Sequence, residues 1–255
     1  MDGTDTLSIA LGGRSVGWEP IQIEPNLWAM VMRTDKSLQE YLRIHLRLSL
    51  LPDIRPLAST FDFVADAAPG VKEVLAVGKV CWEVKENHYD LVVVDAEASG
   101  HVVAQIASPR TINSLVPRGP LRDQTRWMLD ILDDPARCGV VIVSTPEELP
   151  VTESVELVAR LGAETRTQVA AIVLNALEPA VPQEAIDLAS HEWFATVAPA
   201  HSASVMIAAR RVTSQEENAR AVRELGMPVR ELPVASGSES EIVARLTDII
   251  AGWTW

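Results

Sequence analysis

Four short segments carry residue types that suit phosphate and nucleobase chemistry. In Asp95-Ala-Glu-Ala-Ser-Gly100-His101 a carboxylate directly follows the apolar run 91–94. A carboxylate at the C-terminal end of a buried strand stands where open α/β sheets bind ligands. There Asp95 can hold a magnesium-bound water while the Gly100 amide approaches a terminal phosphate with no side chain in the way. An Asp in that place also serves simply to cap the next helix. The second segment is the N-terminal run Asp2-Gly3-Thr4-Asp5-Thr6-Leu7-Ser8-Ile9-Ala10-Leu11-Gly12-Gly13, which reads equally as a polar terminus. The third is Asn175, one residue past the apolar run 170–174, whose amide offers a donor and an acceptor in one plane, as reading an adenine edge requires. Asn is also an ordinary turn residue. The fourth, Leu232-Pro-Val-Ala-Ser-Gly237, can pass over a flat base or merely punctuate a loop.

Such groups need a scaffold, and the hydrophobic pattern supplies one. Runs 91–94, 140–143, 170–174 and 229–234 are β-branched and end in small, polar or proline-containing sequence, with a weaker fifth run at 27–32. The first three are apolar throughout rather than alternating, which predicts central strands of a parallel sheet covered on both faces. After residue 144, Thr145-Pro-Glu-Glu pairs a capping hydroxyl with a proline suited to a first helical position. Leu149, Val151, Val155, Val158 and Leu161 then recur on one face, predicting a helix over 147–161. Residues 216–225 and 240–250 are amphipathic, and Gly226-Met-Pro stops the former before the last strand. Strand and helix alternating from residue 88 onward predict an α/β, doubly wound, mostly parallel sheet. Residues 36–86 carry Leu38, Leu42, His45, Leu46, Ile54, Leu57, Phe61 and Val64 at helical spacing, predicting a helical insertion. Residues 101–134 read as short helices broken at Pro109, Pro117 and Pro120.

Composition narrows the function classes. The 255 residues hold 22 basic and 35 acidic side chains, a net charge of −13, and 47% are hydrophobic. A sizeable core can be buried, whereas nucleic acid, which needs clustered Lys and Arg, is a poor partner for isolated pairs such as Arg43 with Arg47 or Arg210 with Arg211. Cys81 and Cys138 lie 57 positions apart without a CxxC or a His pair, so neither a zinc site nor a disulfide framework is indicated, and a cytoplasmic location is expected. The first twenty residues lack the basic and apolar regions of a signal peptide.

The order and spacing of the four segments resemble the ArsA-like ATPases, a family that includes arsenite-pump ATPases, tail-anchored-protein targeting ATPases and actinobacterial relatives. A switch I segment of the form Asp-Pro-Ala-His-Ser-Leu-Ser-Asp-Ala-Phe-Gly matches at Asp2, Leu7, Ser8, Ala10 and Gly12. A switch II segment, Asp-Thr-Ala-Pro-Thr-Gly-His, matches at Asp95, Gly100 and His101. The family's Pro-Glu-x-Leu-x-x-x-Glu segment is similar to Pro146, Glu147, Leu149 and Glu153. Its adenine-contacting Asn and late loop resemble Asn175 and Leu232-Pro233-Val234-Ala235. Pro25-Asn-Leu-Trp28 with Glu40-Tyr-Leu-Arg-Ile-His-Leu46 looks most like the actinobacterial group.

The resemblance implies an ATP-driven dimeric switch of the P-loop NTPase type using ATP and Mg²⁺. Asp2 would orient the attacking water, Asp95 would anchor Mg²⁺ through water, and Asn175, Pro233 and Ala235 would cradle adenine. The whole chain would form one ATPase domain, with an α/β layer of residues 1–35, 87–100 and 139–255 and a helical subdomain of 36–86 and 101–138.

The sequence departs from the family in one large respect: no Gly-x-x-x-x-Gly-Lys-Ser/Thr run exists. The nearest string, Glu73-Val-Leu-Ala-Val-Gly78-Lys79-Val80, lacks the first Gly and the hydroxyl, and Lys79 reads as a helix-surface residue. The N-terminal P-loop βαβ unit is therefore expected upstream of Met1, leaving this chain inactive alone. The alternative is a non-catalytic partner or regulatory subunit of an intact sister ATPase. The partners the resemblance implies are nucleotide, a second copy in a homodimer or a sister ATPase in a heterodimer, and a peripheral cargo or membrane protein. The arsenite-binding cysteine cluster and the dimer-bridging CxxC are absent, so neither cargo is carried over. A dehydrogenase or methyltransferase reading is disfavoured, because no Gly-x-Gly-x-x-Gly follows any expected strand. Met, Trp and Leu side chains in 101–134 can line a cargo groove or form plain core.

Overall fold

The computed structural model describes residues 13–32, 36, 71–96 and 100–253. The chain divides into two compact units, residues 1–138 with 164–166, and residues 139–163 with 167–255.

In the first unit, β1 (Ile21–Glu24) and β2 (Leu27–Ala29) form an antiparallel hairpin. Pro25 and Asn26 make the turn, with Asn26 in the left-handed region at φ 66°, which Asn tolerates better than most residues. Arg14 Nη1 donates to the carbonyls of Gln22 and Ile23 at 3.0 and 2.8 Å and pins the hairpin. The expected weak strand at 27–32 is thus shorter and has a partner in Ile-Gln-Ile-Glu, whose period-two pattern was the available signal.

Among the described residues three helices follow, α1 (Val71–Lys85), α2 (Gly100–Leu115) and α3 (Pro120–Leu132). Val74, Val77, Cys81 and Val84 recur at helical spacing along α1 and meet Met128, Ile131 and Leu132 of α3, with Ile112, Trp127 and Cys138 packed alongside. Met128, Ile131 and Leu132 are buried, so they form core. Gly78 faces the end of the Met128 side chain, and a Cβ added there would lie 2.8 Å from Met128 Cε, which would have to shift. Burial pushes the Cys81 thiol up to about 12, aided by neighbouring Cys138 and partly opposed by Arg137; burial and then Asp133 raise Cys138. Both cysteines are free.

Two expectations fail in this unit for identifiable reasons. Pro109 does not break a helix: α2 runs through it, and Pro109 is fully buried. Proline removes the amide that would have bonded the Gln105 carbonyl, and the Ser108 hydroxyl donates to that carbonyl instead, at 2.7 Å. Lys79 is not a solvated surface residue. Its side chain is only 13% exposed, Nζ pairs with Glu83 Oε1 at 2.7 Å, and the ammonium stands 5.5 Å from the centre of the Trp18 ring.

In the second unit, β3 (Gly139–Ser144), β4 (Gln168–Leu177) and β5 (Val229–Pro233) form a parallel sheet in the order β3-β4-β5. Helix α4 (Glu148–Glu164) connects β3 to β4. Helices α5 (Gln183–Ser190), α6 (Glu192–Val197) and α7 (Pro199–Arg223) lie between β4 and β5 in the chain, and α8 (Glu239–Ala251) follows β5. This is an α/β architecture with a parallel sheet, because strands joined by helical crossovers run the same way. Helix α4 starts two residues beyond Pro146, later than the spacing implied, and α7 is far longer than the expected 216–225. In the first half of α7, small Ala and Ser residues dilute the amphipathic signal. Gly226, at φ 71°, ends the turn after α7. Helix α8 begins with a capping box in which the Ser238 amide and hydroxyl donate to Glu241 Oε2 at 2.8 and 2.7 Å.

The centre of the sheet is β4, where Ala171, Ile172, Val173 and Leu174 are all at most 4% exposed. The two other expected central strands are corrected. In β3, Ile142 and Ser144 are buried while Val141 and Val143 are 43% and 63% exposed, so one face only is covered. Residues 91–94 form no strand: among the described residues nothing pairs with them, and Leu91, Val93 and Val94 are 77%, 81% and 51% exposed. A continuous apolar run specifies a willingness to be buried; the neighbours that do the burying are not encoded in it.

Candidate functional site

The carboxyl end of β4 is where sequence-named residues meet. Strand β4 pairs Leu174 with Glu231 of β5, and the next partners are Leu177 and Pro233, so Asn175 and Ala176 together oppose the single residue Leu232. That is a β-bulge, a device that re-aims side chains next to functional sites. Ala176 takes φ 60°, a left-handed conformation that costs an L-residue about 1–2 kcal/mol. The Asn175 side chain offsets part of it, because its Oδ1 accepts the Ala176 N–H at 2.9 Å. One lone pair of the Asn175 carbonyl is therefore occupied.

Beyond the bulge the ladder resumes as Val234 N–H donates to the Leu177 carbonyl at 2.9 Å. Asn175 and Pro233 thus lie on neighbouring strands at one end of the sheet. Pro233 is exposed, and half-buried Ala235 is two residues further on. Two of the sequence-named positions, Asn175 and Pro233, thus share the ridge at the carboxyl ends of β4 and β5, and Ala235 follows just beyond β5.

Helix α7 ties the exits of β3 and β4. Gln215 makes two bonds to the backbone of Glu178: the Glu178 N–H donates to Gln215 Oε1 at 3.0 Å, and Gln215 Nε2 donates to the Glu178 carbonyl at 2.8 Å. One turn on, Asn218 Nδ2 donates to the Pro146 carbonyl at 3.1 Å. These contacts frame a cleft of about 440 Å³ between the loop after β3, the end of β4 and α7. Its charged walls are Glu147, Glu148, Glu178 and Arg211, the last 3.6 Å from Glu178. Its place outside the carboxyl ends of parallel strands is the usual ligand position of open α/β sheets.

The other sequence-named residues do not join this ridge. Asp2 lies outside the described residues. Asp95 is exposed on the unpaired segment that follows run 91–94, rather than at the end of a buried strand. Gly100 begins α2 and is exposed, with 97–99 outside the described residues. No three His, Cys, Asp or Glu side chains gather into a metal-holding group among the described residues. Magnesium keeps several waters and takes one or two carboxylates beside phosphate oxygens, so a single carboxylate such as Asp95 suits it only together with a bound triphosphate.

Sequence reasoning missed Gln215, Asn218 and the left-handed Ala176. The i, i+3 spacing of Gln215 and Asn218 puts two amides on one helix face, which was the available signal. Their partners lie 37 and 72 positions away.

Comparison with known proteins adds an independent line. Residues 3–120 match the family described as anion-transporting ATPase, the ArsA ATPases. The ATPase BagA of Mycobacterium tuberculosis is 25% identical over 232 residues, covering 82% of this chain and 68% of its own length. The ATPase get3 of Schizosaccharomyces japonicus is 30% identical over 112 residues, 41% of this chain and 34% of its own. The chain is thus similar to the ArsA ATPases, by the family match over residues 3–120 and, at 25% identity, by relatives named as ATPases over most of its length.

Proposed function

We propose that this chain is the nucleotide-binding part of an ATP-dependent switch of the ArsA-like type, a single ATPase domain acting as a dimer in the cytoplasm. The observation that carries the reading is the ridge at the carboxyl edge of β4 and β5, where Asn175 lies in a bulge opposite Leu232 and Pro233 is the next residue along β5. In this reading Asn175 donates through Nδ2 to a ring nitrogen of adenine, and Pro233 and Ala235 provide a flat apolar wall against the base. Asp95 would hold water in a magnesium shell, the Gly100 amide would meet a phosphate oxygen at the start of α2, and Asp2 would orient the attacking water. Magnesium, when bound, neutralises charge on the phosphates.

The 255 residues contain no Gly-x-x-x-x-Gly-Lys-Ser/Thr run. Phosphoryl transfer depends almost wholly on positioned charge, so the chain by itself binds nucleotide weakly and does not turn it over. Calorimetric titration with Mg-ATP, paired with a phosphate-release assay, tests this. Binding that Asn175→Ala weakens, without phosphate release, is expected. No binding heat at millimolar ATP, or phosphate release above background that Asp95→Ala abolishes, contradicts the reading.

A second reading, a non-catalytic partner of an intact sister ATPase, is favoured by one observation, the exposed apolar run at Leu91, Val93 and Val94. An unpaired apolar segment is a site for strand addition. Co-expression with a sister ATPase should then bury these residues and raise solubility; unchanged solubility and no co-purification count against it. No helix among the described residues is long and apolar enough to cross a membrane.

A further inference from the structure

The residues that shape the ridge are not only those on it. Asn175 is held in a bulge whose backbone is strained at Ala176, and a strained segment keeps its shape only where its surroundings over-determine it. On the β5 side the ladder does this, through the Leu177–Pro233 pairing and the Val234 bond. On the other side the chain leaves the sheet at Glu178, where no strand continues. There Gln215 supplies both halves of a ladder rung from a side chain, one acceptor and one donor, at 3.0 and 2.8 Å. Each bond is ordinary in strength, but the pair fixes the peptide's direction as well as its place, which one bond would not do.

We propose that Gln215 is a positioning residue for adenine selectivity. It acts through the Glu178 backbone to hold the Asn175–Ala176 bulge in the one orientation that aims the Asn175 amide at the base. The proposal rests on the adenine reading of the ridge. It makes α7 the element through which a change elsewhere in the unit alters base recognition. Asn218, one turn along the same helix, clasps the loop after β3 instead and provides an internal control.

The readout is the ratio of Mg-GTP to Mg-ATP dissociation constants, measured by calorimetry on the full chain. Gln215→Met keeps side-chain length and removes both bonds; Gln215→Glu keeps the acceptor for the Glu178 N–H and loses the donor. Wild type is expected to favour ATP. Gln215→Met should lower the ratio by about fivefold to tenfold, as expected for losing roughly one well-aimed hydrogen bond, and Gln215→Glu should fall between. Asn218→Ala should leave the ratio unchanged. Because Gln215 works through Asn175, Gln215→Met combined with Asn175→Ala should lose no more selectivity than Asn175→Ala alone. A purely structural Gln215 would lower the melting temperature while leaving the ratio intact. If Gln215→Met and Gln215→Glu keep the wild-type ratio while Asn175→Ala abolishes it, the proposal is overturned and the ridge reading stands. If Asn175→Ala changes nothing, or the wild type does not distinguish the nucleotides, the ridge reading and this proposal both fall.

Discussion

The segment around Asp95 and the ridge around Asn175 were named for two ends of the same ligand, yet they are built differently. Asn175 sits at the end of a strand whose residues 171–174 are at most 4% exposed, and its neighbourhood is tied by the Leu177, Val234 and Gln215 bonds. Asp95 follows an unpaired run that exposes Leu91 and Val93 almost fully. A site held by buried strands and backbone bonds is organised before its ligand arrives, whereas an exposed carboxylate gains its geometry only from what binds it. The end proposed to read the base is thus the preorganised one.

Substitutions can break this contrast. The largest effect belongs under the ridge: Leu174→Ala or Ile172→Ala, each at 0% exposure, should cost about 2–5 kcal/mol in denaturant unfolding. A loss below 1 kcal/mol would mean β4 is not the tightly packed centre.

Next is Glu83, 7% exposed yet bonded to Lys79 at 2.7 Å and to His88 Nδ1 at 2.6 Å. Burial raises its pKa, but the hydrogen bonds and charges of Lys79 and His88 outweigh that and hold it below the ordinary carboxyl value of 4.5. A depressed folded-state pKa adds stability that is present above 4.5 and is lost as the pH falls through the folded value. Glu83→Gln should cost about 1–3 kcal/mol at neutral pH and flatten the acid limb of the stability profile. An unaltered acid limb would show that the pair does not contribute.

Ala176→Gly relieves the left-handed backbone and should stabilise the chain by about 0.5–1 kcal/mol after the added chain entropy of glycine; destabilisation would show that the bulge carries no strain. Val93→Ser, on the exposed run, should stay within about 0.5 kcal/mol of wild type. A loss approaching that of Leu174→Ala would erase the contrast between the two regions.

Much of the second unit was legible because its signals are local. The apolar run of β4, the Thr-Pro-Glu-Glu start before α4 and the Gly-Met-Pro stop after α7 each depend on residues a few positions apart. Asn175 was also legible, as a polar residue emerging from an apolar run. What escaped depends on distant partners. Gln215 has meaning only once Glu178 is beside it, Pro109 stays helical only because Ser108 covers the orphaned carbonyl, and Lys79 is drawn in by Trp18 and Glu83. The exposure of residues 91–94 escaped for the same reason, since burial is a property of neighbours.

The central claim is that an adenine nucleotide seats on the β4–β5 ridge, and backbone amide shifts on titration of the isotope-labelled chain with Mg-ATP test it most directly. The account predicts shifts that concentrate on Asn175, Ala176, Val234 and Ala235 and disappear in Asn175→Ala. Shifts confined to other parts of the chain, or none at saturating nucleotide, would contradict it.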